Sequence, residues 1–574
     1  MSVVFCPATC YFGRCNESRI NPLMCREGVF VVRISIFLRL LFMEKPAQDT
    51  GKIARSAGTV GVAVMCSRIL GLVREQVFAV FFGAGFAFDA FVVAFRIPNL
   101  LRDLFGEGAL SAAFVAVFSD YETNKGEKAT WALAGNVLVF IGILLSCLTL
   151  LGVFFAERIV GFMVEAEFEA IPGKVELTTL LSMIMFPFLF FISLSSVLMG
   201  ILNTRGRFFI PALASGFFNL GSIVGGVGFA LLMPRFGQPA IVGMAIGTLI
   251  GGLLQFGCQL PALFKAGFVF MPRLDLRHPG LRRILKLMAP AVIGLAPLQI
   301  NVLLNTYFAS SLAEGSLSWL SYAFRLFWLP VGLFGVALST ATLPVIARYA
   351  ALKDMDNLRK TYASSLTLAF SLTIPASVGL ILLGEPITRV IFQHGSFDSL
   401  ATTRTAEALA CYAVGLFAYS SVKIMVPVFY ALDKARYPVV GSFLTMAVNV
   451  LLVWLTIGFL QHKALALSIS CAMILNFLFL STVLYRKLGG YSLRYLFAGL
   501  GKVLAASLGM ALWLIGLHRL LAPFDLGGFA ASLAVLAMAI ATGGTVYGVT
   551  LYALGFKELT MLVERVRHRF GRQG

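Results

Sequence analysis

Arg68, Arg74, Asp89, Arg96 and Arg102 interrupt a run rich in Phe, Val, Leu and Ala that extends from Ser67 to Phe118. A charge at the centre of a bilayer costs on the order of 3 kcal/mol on insertion scales. A chain that keeps several of them turns them toward a shared polar cavity. Four of these five charges are arginines, and a cavity onto which more cation than anion is turned suits an anion. Arginine is the residue suited to a diphosphate, because its planar fork donates two parallel hydrogen bonds to phosphate oxygens and stays charged in any environment. Arg68, Arg74 and Arg102, with Arg325 farther along near Ser318 and Ser321, form the expected grip. The competing reading pairs these arginines with Asp89, Asp103, Glu75 and Glu107. For Arg96 that reading is favoured, since Asp89 lies seven residues earlier on the same helix face.

The elements that carry these charges are membrane helices. The chain has 574 residues, 59% hydrophobic and 13% charged, with mean hydropathy +0.89, whereas a soluble domain is about a quarter charged. A spanning helix needs about 20 mostly apolar residues, and fourteen stretches qualify: 53–81, 86–118, 131–156, 177–203, 208–233, 238–264, 281–311, 316–349, 358–383, 402–432, 437–460, 463–486, 494–521 and 526–555. The predicted class is therefore an all-α polytopic membrane protein. Of the loop cations, 19 fall on one side and 7 on the alternating side. The positive-inside rule places the richer set, including Arg205, Arg207 and Lys265, in the cytoplasm. Both termini then lie inside, and the acidic loop from Glu157 to Glu176 lies outside.

An internal repeat organises the spans. Ala94-Phe95-Arg96 followed by Leu104-Phe105-Gly106 recurs as Ala323-Phe324-Arg325 followed by Leu333-Phe334-Gly335, at a constant offset of 229 residues. Six spans separate the copies, so the halves share orientation, as parallel repeats of secondary transporters do. The expected division is an N-terminal extension at 1–51, an N-lobe at 52–275 and a C-lobe at 276–490. An appended helix pair at 491–556 and a basic tail at 557–574 complete it. Residues 1–42 read as an upstream start or a disordered tail, with a more ordinary beginning at Met43.

Other chemistry is poorly supported. Cys6, Cys10, Cys15 and Cys25 match no metal or redox spacing, and the remaining five cysteines lie in apolar runs. The five histidines are scattered among loops and helix ends. No P-loop glycine pattern is present, so the chain is not expected to be an enzyme, to use ATP directly or to carry a cofactor. The net charge of +19 sits in short loops and at the ends, which fits anionic membrane lipids rather than nucleic acid. Asn305, Asn449 and Asn476 in apolar helices are expected to stitch helices together. The GxxxG pairs Gly221/Gly225 and Gly247/Gly251 are expected to mark close packing.

The segments SRILGLVRE, GAGFAFDAFVVAFRIPNLLRDLFGEGALSAAFVAVF, ILNTRGRFFIPALA and SWLSYAFRLFWLPVGLFGVALSTATLP resemble the MurJ (MviN) family of bacterial lipid II flippases. That family lies within the exporter superfamily of multidrug and oligosaccharidyl-lipid transporters. The resemblance covers about residues 51–556. It implies a fourteen-helix inner-membrane protein whose cavity, between two lobes, opens alternately inward and outward. The family's cavity arginines fall on Arg68, Arg74, Arg102 and Arg325. Its second-helix aspartate falls on Asp89, its loop acid on Glu107, and its serines on Ser67 and Ser318. Two departures stand out. Asp103 replaces a basic residue, and Phe324 and Trp328 replace acids found near the eighth-helix arginine in some members.

The implied activity moves undecaprenyl-diphosphate-linked peptidoglycan precursor from the cytoplasmic to the periplasmic leaflet by alternating access. An inside-negative potential favours outward movement of an anion by about 2.3 kcal/mol per charge per 100 mV, and coupling to that potential or to a cation is open. The alternatives are a flippase for another polyprenyl-diphosphate oligosaccharide, a cation-coupled multidrug exporter, and a structural protein that recruits cell-wall enzymes. A drug-cation pocket would favour acidic and aromatic residues over clustered arginine.

Overall fold

The computed structural model describes residues 50–104, 109–521 and 528–560, and the regular elements among them are all helical. The N-lobe comprises α1 (Thr50–Phe82), α2 (Phe86–Arg102), α3 (Ala109–Asn124), α4 (Glu127–Phe154), α5 (Lys174–Met185), α6 (Phe188–Thr204), α7 (Phe209–Leu232), α8 (Ile241–Gly257) and the short α9 (Leu260–Phe264). The C-lobe comprises α10 (Pro279–Ser310), α11 (Ser316–Pro330), a π-helical segment (Val331–Val336), α12 (Ala337–Ala351), α13 (Met355–Phe392), α14 (Ser399–Val414), α15 (Leu416–Ala431), α16 (Arg436–Leu460) and α17 (His462–Lys487). Two further helices, α18 (Leu493–Leu521) and α19 (Phe529–Ala553), pack on each other and on α13.

Eleven helices among the described residues are long and apolar enough to cross a membrane, or twelve if α14 and α15, bent by 46°, form one span. The expected fourteen differ from this at the first two. The stretch of α1 from Val60 to Phe82 carries Arg68, Arg74 and Glu75. Helix α2 has 17 residues, fewer than the about 20 that a crossing needs. Both segments are helical as expected, but the charges that mark the site are what dilute their apolarity.

Local chemistry fixes the helix ends. Asp354 and Asp398 accept hydrogen bonds from the Asn357 and Ala401 amides and so satisfy orphan donors at the starts of α13 and α14. Helix α10 opens with Pro279, whose missing N–H costs nothing at that position. Helix α6 ends at Gly206, whose φ of +71° lets the Arg207 amide bond back to the Leu202 carbonyl at 2.8 Å.

The GxxxG pairs do pack together. A Cβ on Gly221 would lie 2.9 Å from the Gly251 Cα, and one on Gly225 would lie 3.5 Å from the Gly247 Cα. Helices α7 and α8 therefore approach backbone to backbone. Gly251→Leu places bulk 2.5 Å from the Phe218 carbonyl oxygen and is expected to destabilise by on the order of 1–3 kcal/mol. Thermal unfolding in detergent checks this, with Gly228→Leu, where nothing lies within 4 Å, as the control that should leave the melting temperature unchanged.

Asn449 donates from Nδ2 to Asn301 Oδ1 at 2.8 Å and to Asn305 Oδ1 at 3.0 Å, stitching α16 to α10. Helix α10 also crosses the expected lobe boundary. Leu281, Ile284 and Met288 in its first half are buried with Leu110, Phe114 and Leu133 of the N-lobe, while its second half joins α16. Pro290 and Pro297 interrupt its backbone ladder between these attachments. The first half of α10 thus packs on helices that precede it in the chain and its second half on α16, because hydropathy reports spans and not their neighbours.

Candidate functional site

Helix periodicity and an apolar environment bring α1, α2 and α11 together with their polar faces toward one another. At the centre is Glu75, whose side chain is 4% exposed. Its Oε1 accepts from Arg74 Nη2 at 2.7 Å and Nε at 3.2 Å. Its Oε2 makes an ion pair with Arg325 Nε at 2.7 Å, across the lobes. One buried carboxylate thus holds two of the expected grip arginines. Arg325 nevertheless exposes 41% of its side chain midway along a membrane helix, and Arg74 lies over the Phe218 ring at 5.2 Å.

The other two grip arginines flank this pair. Arg68 reaches the C-lobe, where a Cβ on Gly332 of the π-helical segment would lie 2.6 Å from its Nη1. Only a residue without a side chain leaves the guanidinium that position. Arg102 bonds Asp103 Oδ1 through Nη2 at 2.9 Å, and Asp103 Oδ2 accepts from Gln299 of α10 at 3.3 Å. Asp103, the departure from the family pattern, therefore anchors Arg102. Ser67 is turned into the N-lobe, with its Oγ 2.6 Å from Ser215 Oγ and its carbonyl accepting from Asn219. Glu107 lies outside the described residues.

Asp89 is engaged elsewhere than at Arg96. It is 2% exposed and accepts four hydrogen bonds: from Lys174 Nζ at 3.2 Å, Gly315 N at 2.8 Å, Ser318 N at 3.0 Å and Ser318 Oγ at 2.6 Å. It caps α11 from the opposite lobe, where the helix dipole favours an anion, and Ser318 is part of that cap. The expected Asp89–Arg96 pair is absent, because seven residues of helix rise about 10 Å. Sharing a face is not touching, and only positions three or four apart meet. Arg96 is instead left with a buried Nε that has no hydrogen-bond partner.

More bonds join the lobes around Asp89. Tyr322 donates to the Gly83 carbonyl at 3.1 Å, the Ser396 amide to Val80 O at 2.9 Å and the Phe86 amide to Glu314 Oε1 at 3.0 Å. All lie at the same end of the molecule. That end is closed.

The structure adds one cation that the sequence reading passed over. Lys423 of α15 is exposed and lies over the Trp328 ring at 5.5 Å. A lone lysine inside the expected span 402–432 was the available signal. Trp328, Phe324, Tyr412 and Tyr419 form a chain of edge-on rings with centroids 5.4–6.0 Å apart, next to Arg325.

The family model described as "Lipid II flippase MurJ" matches residues 78–535. The chain belongs to the MurJ family. A lipid II flippase MurJ from Burkholderia cenocepacia is 35% identical over 512 residues, covering 88% of this chain and 98% of that protein. A relative in Buchnera aphidicola is 38% identical over 429 residues, covering 75% and 83%. A solved structure, "Lipid II flippase MurJ, inward closed conformation", superposes with TM-score 0.69 at 27% identity, covering 86% of this chain and 99% of that one. An inward-facing multidrug transporter of the MATE family superposes with TM-score 0.59 at 16% identity and shares the fold alone. The MurJ match contains Asp89, Arg102 and Arg325, whereas Ser67, Arg68 and Arg74 precede it.

Proposed function

We propose that this chain flips lipid II, the polyprenyl-diphosphate-linked peptidoglycan precursor, from the cytoplasmic to the outer leaflet of the bacterial inner membrane. Both termini lie in the cytoplasm in this reading. The observation that carries it is the Arg74–Glu75–Arg325 cluster, in which cations from two lobes meet below a closed outer end. Family membership supports it over the other exporter readings.

In the mechanism, the headgroup enters from the inner leaflet while the polyprenyl tail stays in lipid. The diphosphate competes with Glu75 for Arg74 and Arg325, and Arg68, Arg102, Arg96 and Lys423 add positive potential. Arg96, with no ion-pair partner among the described residues, joins the grip. The rings beside Arg325 offer faces for the sugars. Gathering both lobes onto one anion costs the outer latch at Asp89 its advantage, so the lobes rock and the outer end opens. Release needs differential affinity between the two states, and parting Arg325 from the N-lobe arginines supplies it. An inside-negative potential assists, by about 2.3 kcal/mol per charge per 100 mV.

Expression of the chain in a bacterium depleted of its own lipid II flippase tests this. Restored wall synthesis, with lipid II no longer accumulating on the inner leaflet, is expected. Growth rescue without relief of that accumulation, or no rescue by a membrane-inserted protein, counts against it.

A further inference from the structure

A second cationic site lies away from the central cluster, at the inner end of the N-lobe. A cavity of about 440 Å³ is lined by Val60 of α1, Arg207, Phe208 and Phe209 at the start of α7, and Cys258 and Lys265 flanking α9. That volume falls within the range of small-molecule sites, about 300–1,000 Å³.

Its wall is built rather than incidental. Arg207 emerges from the turn at Gly206 and donates from Nη1 to the Ala262 carbonyl at 2.9 Å and from Nη2 to the Lys265 carbonyl at 2.6 Å. The guanidinium thereby ties the α6–α7 loop to the end of α9 and brings a second cation, Lys265, to the same cavity. Among the described residues neither has an ion-pair partner and no acidic residue lines the cavity. The contrast with Arg205, two positions earlier, is direct: it pairs with both Glu122 and Glu127. Two like charges on one cavity repel unless an anion joins them.

The depth of the cavity selects the anion. Arg207 and Lys265 belong to the cytoplasmic set of loop cations, at helix ends, so they stand at headgroup level. Phe208 and Phe209 are each 46% exposed and Phe264 59%, apolar surface of the kind that sits at the acyl boundary. Cations and exposed aromatic surface side by side fit an amphiphile with a phosphate at its head.

We propose that this cavity binds the headgroup phosphate of an anionic glycerophospholipid of the inner leaflet, as a site separate from the transport cavity. The full-length chain, reconstituted in nanodiscs of equal phosphatidylglycerol and phosphatidylcholine and analysed by native mass spectrometry, tests it. The wild type is expected to retain phosphatidylglycerol preferentially. Lys265→Glu should lower that retention at least about fivefold, the factor for about 1 kcal/mol per cation near the surface. Cys258→Phe, which fills the cavity without changing charge, should lower it as well, while Lys265→Arg should keep it. Equal retention of phosphatidylglycerol by the wild type and Lys265→Glu, with both folded by thermal unfolding, overturns the proposal. So does a result in which Lys265→Glu loses a polyprenyl diphosphate but keeps phosphatidylglycerol, since the cavity would then serve the transported lipid.

Discussion

Arg325→Ala is expected to abolish support of wall synthesis in a flippase-depleted strain while the protein still accumulates in the membrane. Arg325 is the C-lobe half of the only cross-lobe ion pair at the central cluster among the described residues. Its removal leaves Glu75 to Arg74 alone and takes from the substrate phosphate the one C-lobe arginine of the grip. Hydrogen bonds to charged groups contribute about 1.5–3 kcal/mol each, so transport should fall by roughly 10–100-fold per lost contact. Arg325→Lys keeps the charge but loses the fork, and should retain part of the activity. Folding is not expected to suffer much, because a side chain 41% exposed carries little of the core. Measuring lipid II on the inner leaflet gives the decisive readout. Wild-type flipping by Arg325→Ala at equal expression would remove Arg325 from the mechanism.

The second large effect is at Asp89. Asp89→Ala removes four hydrogen bonds at once and strands Lys174, whose side chain is 2% exposed, without a counter-ion. Breaking a buried pair from one side costs about 3–5 kcal/mol, here drawn mostly from the state in which the outer end is closed. The outer end should therefore open more often. A cysteine at Leu317, 3% exposed in the first turn of α11, reports this in a background with the native cysteines replaced. Its labelling from outside by an impermeant maleimide should rise tenfold or more. Adding Lys174→Met removes the stranded charge and should recover part of the closure, which a general folding defect would not do. Unchanged labelling in Asp89→Ala would show that the latch does not hold the gate.

The two variants separate functions that looked alike in the sequence. Arg325 and Asp89 are both intramembrane charges of the same motif set, yet one opens onto the cavity and the other closes the molecule. Asp89 and Ser318, far apart in the chain, meet as helix cap and capped helix. Arg96 moved in the opposite direction, from an assumed internal pair to a cation with no ion-pair partner among the described residues.

The amino-acid sequence by itself determined the class, most of the helices, the loop-charge bias and which arginines interrupt the apolar runs. Each follows from local physics: apolar length sets spans, loop charge sets sidedness, and arginine inside hydrocarbon needs a polar neighbour. The GxxxG contact was legible for the same reason, since a glycine pair one turn apart admits a second backbone wherever it meets one. What the tertiary structure alone decided is who faces whom. Lys174 reaches Asp89 from 85 residues away, Arg325 reaches Glu75 across 250, and α10 belongs half to each lobe. Periodicity fixes the direction of a side chain about its own axis. It says nothing of which helix stands opposite, because that choice is made by packing all the helices at once.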